Sequence, residues 1–198
     1  MKVRIFLVLF SVYNQRLVDY LLNKLYIRIM ASWDTYVHQI QNTFDPETNA
    51  WAVTNVCQYA CVYGHDGNVW AASQGFQLAT YEFDQPQEDG STKKVLCNEH
   101  SAIMKAACGE RKGGQECGLR ICNQKYMFMR SDKSSEGVQF ATLSRQGGGG
   151  ACVAKTDKAL VVGVWGKDVP MSNGKTQNTG DCEKNVLAVS HILKAAGY

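Results

Sequence analysis

From residue 33 the apolar positions Trp33, Tyr36, Val37 and Ile40 fall at i, i+3, i+4 and i+7. This is one stripe of a helix over Trp33–Gln41, with Ser32 placed to cap it. After the breaking pairs Asp45-Pro46 and Thr48-Asn49, Trp51–Tyr63 is rich in β-forming residues, and Gly64–Asn68 turns it into a second strand, Val69–Ser73. Residues 79–94 are polar and acidic and predict a surface loop. Asn98 caps a predicted helix over Glu99–Ala107, which ends before Gly109 and the Gly113-Gly114 turn. Strands follow at Gly118–Cys122, Lys125–Arg130, Val138–Leu143, Ala151–Thr156 and Ala159–Trp165. Connections as short as Asp157-Lys158 require antiparallel neighbours, because a parallel crossover takes a dozen residues or more. A second loop, Lys167–Gly180, leads to a last helix from about Cys182 to Ala196, on which Val186, Val189 and Leu193 lie a turn apart. Helix, hairpin, helix, antiparallel meander and helix describe an α+β domain with helices packed on a sheet.

The chain has 198 residues, 45% of them hydrophobic, which suits one packed core and is too short for two ordinary linked domains. Residues 1–29 do not share the pattern of the rest. They hold five cations against Asp19, a net +4, which leaves −1 for residues 30–198 out of the chain's +3. Lys2 and Arg4 ahead of Ile5–Phe10 resemble the start of a signal peptide, yet no small-x-small cleavage site follows, and the run is too short to cross a bilayer. Leu17–Ile29 is an aromatic-rich amphipathic stretch. We therefore read 1–29 as an extension outside the fold, a mis-started reading frame or a leader, with Met30 opening the domain and 31–198 forming it. A domain at −1 is not a nucleic-acid binder.

All eight cysteines lie beyond residue 56. The apolar periodicities build a core without staples, so reduced thiols in the cytosol are expected; a secreted domain with four disulfides is the alternative. Cys57/Cys61 and Cys117/Cys122 are not CxxC pairs and no His-x(3–5)-His follows, so no metal or thioredoxin-type site is expected. Gly147–Gly150 lacks the Lys-Ser/Thr ending of a phosphate loop and reads as a tight turn. No hydrolase constellation is visible, so no catalytic residue, enzyme activity or cofactor is assigned.

Several segments, in order, resemble the profilin family of actin-monomer-binding proteins. Ser32–Val37 resembles its opening Trp-x-x-Tyr helix, and Gly67–Ala71 its second-strand signature. Asn98-Glu99 through Lys105 resembles the middle helix, and Gln124-Lys125-Tyr126 with Arg130 the Gly-Gly-Gln-Lys strand. Gly147–Thr156, Gly180–Cys182 and the terminal Gly197-Tyr198 complete the set. The chain departs from the family pattern at Cys122-Asn123, where two glycines are usual, and in longer insertions at 79–96 and 167–180. Leu187 stands where many relatives have Glu, and His191-Ile192 replaces an Asp-Tyr pair of plant-like relatives.

The resemblance implies a central antiparallel sheet with the N- and C-terminal helices on one face and a shorter helix on the other. It also implies a groove for proline-rich segments, as in formin-like proteins, at Trp33, Tyr36, Trp70, Tyr198 and, less strongly, Ile192. Aromatic faces suit prolyl rings, and indole N–H and phenol O–H suit carbonyls. A second surface, carried over onto Lys125, Arg130, Arg145, Gly148, Lys155 and Lys184, would meet monomeric actin, with long cations at its rim. Contact with phosphoinositides is expected to be weak for a domain without a dense basic cluster. The implied protein is a cytoplasmic, cytoskeletal monomer that regulates filament assembly; a trafficking adaptor on a similar scaffold would have no use for the proline groove.

Overall fold

The computed structural model describes residues 32–45 and 50–198. Residues 1–29 and the Met30 start therefore lie outside the described residues. Helix α1 spans Trp33–Gln41. The short hairpin β1 (Thr43–Asp45) and β2 (Ala50–Ala52) follows it. Next come β3 (Tyr59–Gly64), β4 (Val69–Ala72), β5 (Thr80–Pro86), β6 (Thr92–Asn98) and α2 (Glu99–Ala107). The chain continues through β7 (Leu119–Ile121), β8 (Gln124–Lys133), β9 (Gln139–Arg145), β10 (Gly150–Lys155), β11 (Ala159–Trp165) and α3 (Thr179–Ala195). Seven strands form one antiparallel sheet in the order β4-β3-β11-β10-β9-β8-β7.

Strand periodicity divides the sheet's side chains between two layers. Leu160, Val162 and Val164 of β11, Ala151 and Val153 of β10, and Ala141 and Leu143 of β9 form one buried cluster with Ala102, Ile103, Ala106 and Ala107 of α2. The alternate positions face α1 and α3, which pack on each other; α1 lies against β3 and β4, and α3 against β10 and β11. Gly163 allows α3 to come this close, since a Cβ there would lie 2.7 Å from Val186 Cγ2 and 3.1 Å from the thiols of Cys57 and Cys182. Asn185 of α3 donates to the carbonyls of Asn42 (2.7 Å) and Ile40 (3.2 Å), satisfying acceptors that the end of α1 leaves open.

Three expectations change. Trp51–Tyr63 is not one strand: Asn55 adopts φ 55°, and Asn42 Oδ1 accepts from the amides of Thr54 and Asn55, so the chain leaves β2 and starts again at β3. The polar stretch 79–94 is not a loop but most of the β5–β6 hairpin, paired from Thr80↔Asn98 to Pro86↔Thr92. Its inward positions Tyr81, Phe83, Val95 and Cys97 form a small separate core with Cys117, and the Arg120 guanidinium lies 3.8 Å from the Phe83 ring centroid. The last helix starts three residues early, at Thr179, because Asn178 caps it by accepting from Asp181 N–H at 3.0 Å. The 167–180 segment is irregular as expected but anchored: buried Gln177 accepts from Gly166 N–H (3.0 Å) and donates to Asn55 O (2.7 Å).

Where α2 begins, Glu99 is fully buried. Its carboxylate accepts from the amides of Asn123 (2.6 Å), Cys122 (2.9 Å) and Ala79 (3.2 Å), and from the Tyr81 hydroxyl (3.0 Å). Cys122 and Asn123 are the central residues of the tight β7–β8 turn, with φ 50° and 60°. Two positive φ values mark the turn type that glycine usually occupies, and a residue with a Cβ adopts each at a cost of roughly 1–2 kcal/mol. The Glu99 carboxylate offsets that cost by receiving both turn amides. Arg120 holds the other side of the turn, donating to Asn123 O at 3.0 Å.

Replacing Glu99 by Gln leaves one acceptor oxygen and turns an NH2 group toward backbone donors. We expect a loss of about 2–4 kcal/mol in urea unfolding, with an unchanged denaturant slope. A loss below about 0.5 kcal/mol would contradict the assigned role. Alkaline pH provides a second test, because burial pushes the Tyr126 phenol up to about 12 from its ordinary 10.0 and raises that of Tyr63 as well. The unfolded chain ionises these phenols first, so their contribution is complete below pH 10 and is lost as pH rises toward 12. Burial likewise raises the Cys61 and Cys152 thiols well above their ordinary 9.0, so urea midpoints measured from pH 8 to 11.5 should start to fall near pH 9 and fall more steeply beyond pH 10.

Candidate functional site

Three distant segments bring four aromatic rings together. Trp33 opens α1, Tyr36 lies one turn on, Trp70 comes from β4, and Tyr198 follows α3, its amide donating to Leu193 O at 3.0 Å. The Trp33 ring is the hub, with centroids 4.4 Å from Trp70, 5.1 Å from Tyr198 and 5.5 Å from Tyr36, and Trp70 and Tyr198 are 5.7 Å apart. Both contacts of Tyr198 are edge-to-face, the arrangement that the ring quadrupoles favour. The set arises because α1 packs on both α3 and β4, so the start of α1 and the end of α3 share one rim of the sheet.

Tyr36 is buried and forms the floor, Trp33 and Trp70 are half-buried, and Tyr198 is 37% exposed. Burial, and then the neighbouring Tyr198, raises the Tyr36 phenol above its ordinary range, so its hydroxyl remains a donor at neutral pH. The Lys158 ammonium lies 5.9 Å from the Tyr198 ring centroid. Ile192 is half-buried near the end of α3 and offers apolar surface only. The result is a partly open aromatic floor with hydroxyl and indole donors.

The six residues of the second surface do not form a single patch. Lys125, Arg145 and Gly148 line a cavity of about 560 Å³ together with Gln124, Gln146 and Gly147. Arg145 bridges it, Nε donating to Gly148 O and Nη1 to Gln124 Oε1, both at 3.1 Å. Gly147, Gly148 and Gly149 adopt φ 89°, 105° and 95°, so the glycine run is the expected tight turn. Arg130 lies farther along β8 and is already engaged: Nη2 reaches both Glu183 oxygens at 2.6 Å, and Thr142 donates to the same carboxylate at 3.0 Å. Lys184 is exposed on the next residue of α3. Lys155 stands apart, at the end of β10 opposite Gly150 and, by strand alternation, on the α2 face.

Sequence reasoning missed the apolar part of this surface. Met127 and Met129 are 56% and 61% exposed on β8 between Lys125 and Arg130. The register shift between Phe128 and Arg130 makes Met129 the extra residue of a bulge, which returns Arg130 to the face shared by Lys125 and Met127. The buried Tyr126 beside them was the available signal, since alternation turns its neighbours outward.

The eight cysteines are free thiols, with Cys108 and Cys122 exposed and the other six buried. Burial raises the Cys61 and Cys152 thiols well above their ordinary range. Among the described residues no group of three His, Cys, Asp or Glu could hold a metal ion, and no helix is long and apolar enough to cross a membrane.

Known proteins match this architecture. The sequence model of the Profilin family matches residues 31–198. The profilin of Tetrahymena pyriformis is 30% identical over 171 residues, covering 85% of this chain and 100% of the relative. Profilin-2 of Acanthamoeba castellanii is 28% identical over 138 residues, covering 70% and 82%. Among solved structures, Acanthamoeba castellanii profilin IB superposes with a TM-score of 0.52 at 21% identity, covering 84% of this chain and 100% of its own. Schizosaccharomyces pombe profilin gives 0.51 at 20% identity, with the same coverage. These structures share the fold, a curved antiparallel sheet between two helical layers. With the family model spanning the whole domain and one relative matched along its full length, this chain belongs to the profilin family.

Proposed function

We propose that the chain binds monomeric actin on the β8–β9 and α3 face, and holds proline-rich segments of other proteins on the Trp33, Tyr36, Trp70 and Tyr198 rings. The observation that carries this reading is the Trp33 hub, whose ring meets three others drawn from three segments. A core stripe of α1 would account for Tyr36, but not for half-buried tryptophans and an exposed terminal tyrosine on one rim. A polyproline II segment arrives in its bound shape and without backbone donors, so aromatic faces and side-chain donors are the complement it needs. The three prolines of the chain, Pro46, Pro86 and Pro170, are far apart and form no proline-rich run; family membership points to a ligand in another protein, of the formin-like class.

Support for the actin face comes from family membership and from the exposed Met127 and Met129 framed by Lys125, Arg130 and Lys184. An apolar centre with a charged rim is the usual anatomy of a protein interface. Arg130 enters it already oriented by Glu183. The Lys125 and Arg145 cavity supplies two cations, enough for weak contact with a phosphoinositide head group. The protein acts stoichiometrically in the cytoplasm as a monomer and catalyses nothing. It occupies one end of an actin subunit, suppresses spontaneous nucleation, and is concentrated with its cargo at proline-rich assembly factors.

Trp33→Ala should weaken retention on immobilised polyproline at least tenfold while leaving the melting temperature within a few degrees. Met127→Ala combined with Lys125→Glu should weaken monomeric-actin binding by a similar factor, read by inhibition of pyrene-actin assembly, and leave polyproline retention intact. Retention unchanged by the first substitution would remove the groove, and assembly inhibition unchanged by the second would remove the actin face.

A further inference from the structure

The tip of the β8–β9 hairpin carries a constellation that neither proposed surface uses. Residues Ser134–Val138 form the turn: Gly137 N–H donates to Ser134 O, and Ser134 N–H to Val138 O, both at 2.9 Å. Across from it, His191 sits on the penultimate turn of α3 with its side chain 23% exposed. His191 Nε2 lies 2.9 Å from Ser134 Oγ, and its Nδ1 lies 3.3 Å from Glu136 Oε1. Carboxylate, imidazole and hydroxyl thus stand in line. With the proton on Nδ1 directed at Glu136, Nε2 is the acceptor for the Ser134 O–H.

The serine's remaining contact favours the same role. Val138 N–H donates to Ser134 Oγ at 3.1 Å and fixes the oxygen. A hydroxyl oxygen has two lone pairs, so once this bond has taken one and the proton is directed at His191, the second lone pair stays available. Ser134 is half-buried and Glu136 is 57% exposed, so a small reagent can approach from solvent.

We propose that Ser134 is a covalent modification site, a serine activated by His191 and Glu136 that reacts stoichiometrically with small acyl or phosphonyl electrophiles of the activated-ester class. With an alkyl fluorophosphonate, Ser134 Oγ attacks phosphorus and the O–P bond forms. The P–F bond breaks, and fluoride leaves with the bonding pair. The hydroxyl proton passes to His191 Nε2 and from there to solvent. General-base assistance of this kind raises the rate on the order of 10²-fold or more. The site is independent of the proline groove and the actin face, so their failure or success does not bear on it.

Ser135 is an internal control, exposed on the same turn but without a histidine beside it. The native full-length chain should be treated with an alkyl fluorophosphonate, and adducts mapped by peptide mass spectrometry over time. Ser134 should label on the order of 10²-fold faster than Ser135, and Ser134→Ala should abolish that adduct. His191→Gln should bring the Ser134 rate down to that of Ser135. The turn stays anchored in this variant by Lys194, whose Nζ donates to Gly137 O at 3.1 Å. Glu136→Gln, an exposed change that spares the fold, should lower the Ser134 rate several-fold. Equal rates at Ser134 and Ser135 in the native chain, or a Ser134 rate unmoved by both His191→Gln and Glu136→Gln, would reduce the constellation to a structural pin and overturn the proposal.

Discussion

A single buried carboxylate ties three separate parts of the fold together at one point. Glu99 receives four hydrogen bonds from three places: the entry to the β5–β6 hairpin, a tyrosine within it, and the β7–β8 turn. Charged acceptors form the stronger class of hydrogen bond, and a buried one without donors would be costly, so the carboxylate fixes these segments relative to one another where they meet. The consequence reaches the surface. The turn starts β8, and β8 carries Lys125, Met127, Met129 and Arg130 in fixed order along its length. A chain with Cys122 and Asn123 at the turn needs such a carboxylate more than one with glycines, because neither residue adopts a positive φ without cost.

The second organising element is α3. Near its start, Glu183 holds Arg130 and Thr142 of the sheet; just past its end, Tyr198 meets Trp33 and Trp70. A 17-residue helix is roughly 25 Å long, so the two proposed surfaces lie far enough apart for both to be occupied at once. Its middle packs on β10 and β11 around Gly163, and Asn185 ties it to the end of α1. Neither end can shift far without disturbing a fully buried layer.

Much of this order was legible from residue spacing. The stripe Trp33, Tyr36, Val37 and Ile40 placed α1, and Asn98 placed α2, because local periodicity and a cap decide both. Strand β11, an unbroken apolar run bounded by Asp157-Lys158 and Gly166, was equally plain. The β5–β6 hairpin was hidden because Tyr81, Phe83, Val95 and Cys97 alternate with Glu82, Asp84, Lys94 and Leu96, so polar composition masked the period of two. Trp51–Tyr63 looked continuous because the side chain that breaks it, Asn42, lies outside the run. The aromatic residues of the groove were nameable one by one, but their convergence on Trp33 depends on α1 lying across α3. The pairing of Arg130 with Glu183 and the line from Ser134 to His191 join residues more than fifty positions apart, beyond what any spacing rule can see.

The central claim is that one small domain holds two protein ligands at separate sites. Fluorescence anisotropy of a labelled decaproline peptide, first saturated with the full-length chain and then titrated with monomeric actin, tests it most directly. The account predicts a further rise in anisotropy as a ternary complex forms. A fall to the value of free peptide, or no change across the titration, would contradict it.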